Sequence, residues 1–269
     1  ATPPIHGLGR GLDSPVRNPG SFRDPAGGVY HYRDRVFRYL TDEGAREFRE
    51  LANSGLLKQL ADSGAVIPTR ELAGGEATEL GLDPSIPLIL EHEPIPFISY
   101  MYEWPFELLQ TAALQYLTAL RLSVEHGFIL KDATAFNTQF RGSAPTMIDV
   151  ASFEPHSPGR PWAGYAQFCR MFLNPLLLHS LTGEPYHHAL RSSIEGIAPS
   201  ELKRRLPFRR RLRKDIFIHV VAQAWMGNRF SGDVDALKSV ANEQVSQKTL
   251  HKLIDQLERT ISGLSRPGA

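Results

Sequence analysis

The chain has 269 residues, with 30 Lys and Arg against 29 Asp and Glu, a formal net charge of +1 and a 42% hydrophobic share. That length can bury a real core and that composition is ordinary for a folded domain, so disorder is excluded as the default. The near-neutral charge argues against bulk attraction to nucleic acid or membrane, and a single cysteine, Cys169, excludes a disulfide framework and an all-cysteine zinc site.

Residues 1–20 are rich in Gly and Pro and carry no apolar period, which predicts an arm. The opening Ala1-Thr2-Pro3-Pro4 shows no charged stretch leading into an apolar one, and the apolar run from Met171 to Leu178 is broken by Asn174 and Pro175 and is far shorter than a bilayer span. A soluble, cytoplasmic protein is expected. Next come three aromatic and β-branched runs split by turn residues, Ser21-Phe22-Arg23, Val29 to Tyr32 and Val36 to Leu40, which predict short antiparallel strands. Asp42 is placed to cap a helix from Gly44 to Ala61, with Gly64 closing it. Further strands are expected at Val66 to Leu72, Pro87 to His92 and Phe97 to Tyr102. Beyond Glu103-Trp104-Pro105, the leucine and alanine spacing from Phe106 to His126 predicts a long buried helix ended by Gly127. Two short strands, Phe128 to Leu130 and Thr146 to Asp149, flank a loop. Helices follow at Gly164 to His179, Ile216 to Met226 and Val245 to Ser262. A strand-rich beginning followed by a helix-rich remainder is α+β in two lobes. The expected divisions are an arm at 1–20, a first lobe at 21–103, a helical lobe at 104–262 and a tail at 263–269.

The informative stretch reads His126-Gly127-Phe128-Ile129-Leu130-Lys131-Asp132-Ala133-Thr134-Ala135-Phe136-Asn137, then Pro145-Thr146-Met147-Ile148-Asp149. An acid after a short apolar strand, an amide five positions on and a second acid ending the next strand can converge on one loop. Hard oxygen donors suit magnesium, and phosphoryl transfer requires metal ligands plus a group that orients the nucleophile. The pattern resembles the catalytic loop and metal-binding aspartate of the protein kinases and of their small-molecule relatives, the aminoglycoside and choline phosphotransferases. The resemblance implies a two-lobed kinase-like fold, with Asp132 as catalytic base and Asn137 and Asp149 as magnesium ligands beside ATP.

The departures carry information too. Lys131 stands where an Arg is usual, and Val150-Ala151-Ser152-Phe153-Glu154 replaces the usual Phe-Gly. With Tyr102-Glu103-Trp104-Pro105-Phe106 and Gln139-Phe140-Arg141-Gly142, the chain from about 20 to 200 is most similar to a bacterial kinase-like module often found in front of a methyltransferase domain. That resemblance puts Arg38 where a strand lysine normally meets ATP, with Glu47 or Glu50 as its helix partner. It makes Asp24 to Gly28, including Gly27 and Gly28, a shortened phosphate cover. Tyr102, Glu103 and Trp104 fall at the adenine position. Lys131 and Thr134 would lie near the transferred phosphate.

Other motifs read as structural. The run Lys203 to Lys214 packs eight basic residues into twelve positions; such a run can bind nucleic acid, anionic lipid or another anionic substrate or partner, but it reads first as a solvated face with Leu206, Phe208 and Leu212 turned inward. His187-His188 and Glu91-His92-Glu93 lack zinc-site spacing to a further ligand set. Gly7-Leu8-Gly9-Arg10-Gly11 has no strand before it to make a nucleotide loop. The reading is an ATP- and magnesium-dependent phosphotransferase acting on a small-molecule hydroxyl. Its rivals are an inactive kinase-like module regulating a methyltransferase, favoured by Arg38 and by the missing Gly, and a kinase-like enzyme that transfers AMP.

Overall fold

A computed structural model describes residues 15–18, 27–83, 85–157, 159–208 and 246–268. The strand expected at 21–23, the helix expected at 216–226 and residues 209–214 of the basic run lie outside the described residues. By their internal contacts the residues form two units, 1–97 with 148–151, and 98–147 with 152–269. The chain is α+β.

The first unit is built on an antiparallel sheet of β1 (Val16–Arg17), β2 (Gly27–Tyr32), β3 (Arg35–Leu40), β4 (Thr69–Glu71) and β5 (Leu88–His92), in the order β1-β2-β3-β5-β4. β2 and β3 form a hairpin whose Arg33-Asp34 turn puts Arg33 at a φ of 52°. The expected arm thus contributes a short strand, with Val16 opposite His31 and Arg17 opposite Tyr30. One sheet face buries Phe37 and Ile89 with Leu72, Ala77 and Leu82. The helix expected at 44–61 is divided into α1 (Asp42–Asn53) and α2 (Leu56–Asp62). Gly55, at a φ of 79°, makes the break by taking a left-handed conformation that a helix cannot continue through. Thr41, rather than Asp42, caps α1 by accepting from the Gly44 amide at 3.3 Å, and Asp42 with Glu43 supplies negative charge to the first turn. A short helix, α3 (Gly74–Glu79), precedes β5. The strand expected at 66–72 shrinks to β4, while Val66 and Ile67 are buried outside the ladder.

The strand expected from Phe97 to Tyr102 does not form. Pro94 and Pro96 precede it, and each removes a ladder donor. Tyr100 to Glu103 instead closes a turn, with the Glu103 amide donating to the Tyr100 carbonyl at 2.7 Å and the Tyr100 amide donating to Glu103 Oε2 at 2.8 Å.

The second unit is organised around α4 (Phe106–Glu125), which starts behind Pro105 and stops at Gly127, where φ is 78°. Leu109, Ala113, Tyr116, Leu117 and Leu120 bury one face. The terminal helix α9 (Gln247–Ser262) packs on α4 through Leu250, Ile254, Leu257 and Ile261. Arg121 clasps Asp255 at 2.8 Å and Glu258 at 2.6 Å, and Gln110 donates to the Ile261 and Leu264 carbonyls. Between them lie α5 (Tyr165–Phe168), a wide helical turn Cys169–Leu173, α6 (Asn174–Thr182), α7 (His187–Ser192) and α8 (Pro199–Arg205). Pro175 does not end the helical run. The wide turn takes up its missing N–H, and the Arg170 carbonyl that would have been its acceptor receives the Ile197 amide at 2.9 Å. Two small ladders complete the unit. β6 (Phe128–Leu130) pairs with β9 (Phe153–Pro155), and β7 (Thr138–Arg141) pairs with β8 (Ala144–Met147), so the two strands expected to flank one loop lie in separate ladders.

Candidate functional site

The ladder topology explains why the chemistry-bearing residues sit on short, fixed connections. One connection, residues 131–137, runs from β6 to β7, and the other, residues 148–152, runs from β8 to β9. Each is therefore held at one end by the first ladder and at the other by the second. Asp149 lies just past the end of β8, not inside it.

The 131–137 loop is fixed almost residue by residue. The Lys131 amide donates to the Ser152 carbonyl at 2.9 Å, and Tyr116 Oη, on buried α4, donates to the Asp132 carbonyl at 2.9 Å. The Ala133 amide donates to Gln167 Oε1 at 2.8 Å, and Trp162 Nε1 donates to the Leu130 carbonyl at 2.9 Å. Thr134 caps a single 3₁₀ turn, Ala135–Asn137, by accepting from the Phe136 amide. With its backbone held this way, Asp132 is an exposed residue of the loop. The Asn137 Nδ2 donates to Ser152 Oγ at 3.2 Å, so the amide oxygen, the only atom of that group able to bind a cation, is at the end not turned to Ser152. Burial pushes the Tyr116 phenol well above its ordinary range, which keeps it neutral and a hydrogen-bond donor.

The first unit holds a second constellation. Arg38, in the middle of β3 between Val29 of β2 and Leu90 of β5, is 8% exposed. Its Nη1 donates to Asp149 Oδ1, and the same oxygen accepts the Ala151 amide at 3.0 Å. His92, buried at the end of β5, adds a feature that the sequence reading treated as inert. Its Nδ1 is 2.8 Å from Thr69 Oγ1, whose one proton goes to the Ile67 carbonyl at 3.0 Å. The imidazole must therefore donate from Nδ1, and its lone pair is on Nε2. Burial, reinforced by the Arg38 charge, holds this ring neutral, with a pKa lowered to about 4 against the opposing pull of Asp149 and Glu91. Around it, Glu91 pairs with Arg35 at 2.6 Å and Arg70 at 2.5 Å, a half-exposed network that holds the Glu91 carboxyl below its usual range, chiefly through the Arg35 hydrogen bond.

The remaining expected site residues fall as follows. Glu47 is half-buried on α1 beside buried Phe48, whereas Glu50 is exposed, so burial favours Glu47 as the inward-facing acid. Gly27 and Gly28 are not a loop. They are the first residues of β2, opposite Leu40 and Tyr39, and a Cβ on Gly27 would collide with the Tyr39 carbonyl, one on Gly28 with the Tyr39 ring. The glycines therefore serve strand packing, and residues 24–26 of the expected cover lie outside the described residues. At the expected adenine position, much of the backbone is engaged. Gln139 bonds both the amide and the carbonyl of Ser99, and the Trp104 carbonyl receives Tyr186 Oη at 2.9 Å and His187 Nε2 at 3.1 Å. Trp104 is itself buried and donates to Ser99 Oγ, while Tyr102 stacks on Tyr100 with ring centres 5.3 Å apart. Lys131 and Thr134 are half-buried in the loop described above. In the basic run Leu206 is buried as expected, but Phe208 is 71% exposed because α8 ends at Arg205 and Pro207 turns the chain out of its period.

The oxygen donors of Asn137 and Asp149 are of the kind magnesium takes when substrate phosphates complete its shell. Among the described residues there is no cluster of three or more His, Cys, Asp or Glu side chains placed to hold a metal unaided.

These constellations belong to an α+β protein in which a small antiparallel sheet carries the buried Arg38, paired with a half-buried Asp149, and a mainly helical unit carries an exposed aspartate on a braced loop. The chain is 34% identical over 252 residues to the nodulation protein NoeA of Rhizobium meliloti (strain 1021), an alignment that covers 93% of this chain and 52% of that protein. The chain thus spans about half the length of that relative. No family model matches it. No described helix is long and apolar enough to cross a membrane.

Proposed function

We propose that the chain is a kinase-like phosphotransferase that uses ATP and magnesium to phosphorylate a hydroxyl of a small molecule, such as a sugar, a lipid headgroup or a natural-product intermediate. The observation that carries the reading is the bracing of the 131–137 loop, which fixes the backbone on both sides of Asp132 while the residue itself stays exposed. In this reading Asp132 orients the acceptor hydroxyl and takes its proton. Asn137 and Asp149 hold the cation through oxygen atoms, and Arg38 holds phosphate oxygens with its planar fork of donors. The bound cation supplies neutralisation of the phosphate charge.

The Arg38–Asp149 pair also favours a second reading, an inactive kinase-like module in which the ion pair substitutes for the metal site. About half of the relative's length lies outside the match, which is room for a further domain. A methyltransferase, joined or separate, is the partner that reading suggests.

Incubation with γ-labelled and α-labelled ATP, magnesium and a metabolite extract tests the enzyme reading. The γ-label should enter a small molecule, and Asp132→Ala should lower the rate by about 10²-fold or more. Transfer of the α-label instead would make the enzyme an AMP transferase. No transfer of either label, with nucleotide still bound, would leave the inactive module.

A further inference from the structure

The cation nearest to hand for Asp149 is one the chain already owns. We infer that Arg38 is the resident counter-ion of Asp149 and changes partner on ligand binding, leaving the carboxylate for a nucleotide phosphate so that a divalent cation gains Asp149 only when the nucleotide arrives. The inference rests on the phosphotransferase reading for the identity of the ligand, and on the ion pair for everything else.

Three observations support it. First, the pair is largely withdrawn from water, with side-chain exposures of 10% for Arg38 and 21% for Asp149, so it is not weakened as a surface pair would be. A metal approaching Asp149 must then compete with a fixed positive charge at short range. Second, the two ends are anchored differently. Arg38 is paired on both sides within the sheet, which fixes its backbone and leaves its long side chain as the part able to move. Asp149 Oδ1 also accepts the Ala151 amide, a bond that keeps the carboxylate in place after the guanidinium leaves. Third, the neighbouring His92 donates from Nδ1 to Thr69 and is held neutral, so it brings no positive charge of its own to the carboxylate.

A guanidinium serves this exchange because its flat fork of N–H donors suits a carboxylate and a phosphate equally. The consequence is reciprocal coupling: whatever draws Arg38 to phosphate eases metal binding, and metal on Asp149 frees Arg38 for phosphate. Nucleotide and metal would then bind as a unit, and the resting protein would have low affinity for metal alone.

The test is manganese binding, followed by electron paramagnetic resonance on the full chain without nucleotide. Wild type should bind Mn²⁺ weakly. Arg38→Gln, which keeps an amide donor but removes the charge, should bind it about tenfold more tightly or better, and Arg38→Gln with Asp149→Asn should lose that gain. Arg38→Lys, in which a single ammonium replaces the fork, serves if the glutamine variant does not fold, and should behave like wild type towards Mn²⁺ while binding ATP more weakly. Equal Mn²⁺ affinity in wild type and Arg38→Gln overturns the inference, as does tighter Mn²⁺ binding by Arg38→Lys. A separate readout covers the underlying reading: if ATP with Mn²⁺ raises the melting temperature of wild type, the nucleotide reading stands even when the partner exchange fails. If it does not, while Arg38→Gln still gains Mn²⁺, the counter-ion role stands without the nucleotide.

Discussion

At the scale of single residues, His92 shows how a buried side chain sets a pH limit on the sheet that carries Arg38. Its folded-state pKa is lowered to about 4, chiefly by burial, against an ordinary value of 6.5. A group whose pKa is depressed by folding contributes stability that is present above the unfolded value and lost as pH falls towards the folded one. The unfolded chain takes up a proton between pH 6.5 and 4 that the folded chain refuses, at a cost on the order of 3 kcal/mol across that window. The melting temperature should therefore fall on going from pH 7 to pH 5, and the fall should be clearly smaller in His92→Gln, which can still reach Thr69. An unchanged slope in that variant would remove His92 from the account. Sequence alone offered no route to this role: in Glu91-His92-Glu93 the histidine sits between two acids, and only the β3–β5 register shows which strand neighbours surround it.

At the scale of elements, the β2–β3 hairpin shows what a glycine pair can mean. Gly27 and Gly28 invite a phosphate-loop interpretation, yet they open a strand because Tyr39 passes directly across them. The obstacle differs at the two positions, and so should the response. Gly27→Ala drives a methyl into the Tyr39 backbone carbonyl and should cost about 1–3 kcal/mol in urea denaturation, whereas Gly28→Ala meets a ring that can turn away and should cost less. Reversal of that order would contradict the packing described. The elements legible in the sequence were those with a repeating pattern and a stop signal, such as α4 with Gly127 or β5 with its apolar run. Those that were missed depend on partners far along the chain. The Phe97–Tyr102 strand yields to a turn held by Glu103 and to the grip of Gln139 on Ser99, and the helix around Pro175 continues because Ile197 satisfies a carbonyl. Of the candidate site, the placing of Asp132 and Asn137 in a loop after the 128–130 strand could be read from spacing, whereas Asp149, expected to end a strand, lies just past β8. Their supports, Tyr116, Gln167 and Ser152, could not be read, because nothing in their local sequence distinguishes a bracing side chain from any other buried polar group.

At the scale of the molecule, two units divide the chemistry: one contains Arg38, His92 and Asp149, and the other contains Asp132 and Asn137 with the helices that brace their loop. The aligned relative is about twice as long as the stretch it shares with this chain. The central claim is that Asp149 and its companions bind nucleotide with metal. The most direct measurement is the melting temperature of wild type and Asp149→Asn with millimolar ATP, with and without magnesium, since a ligand that binds only the folded state must raise it. The account predicts a clear rise for wild type that requires both components, and none for Asp149→Asn. No rise in wild type, or an equal rise in the variant, would contradict it.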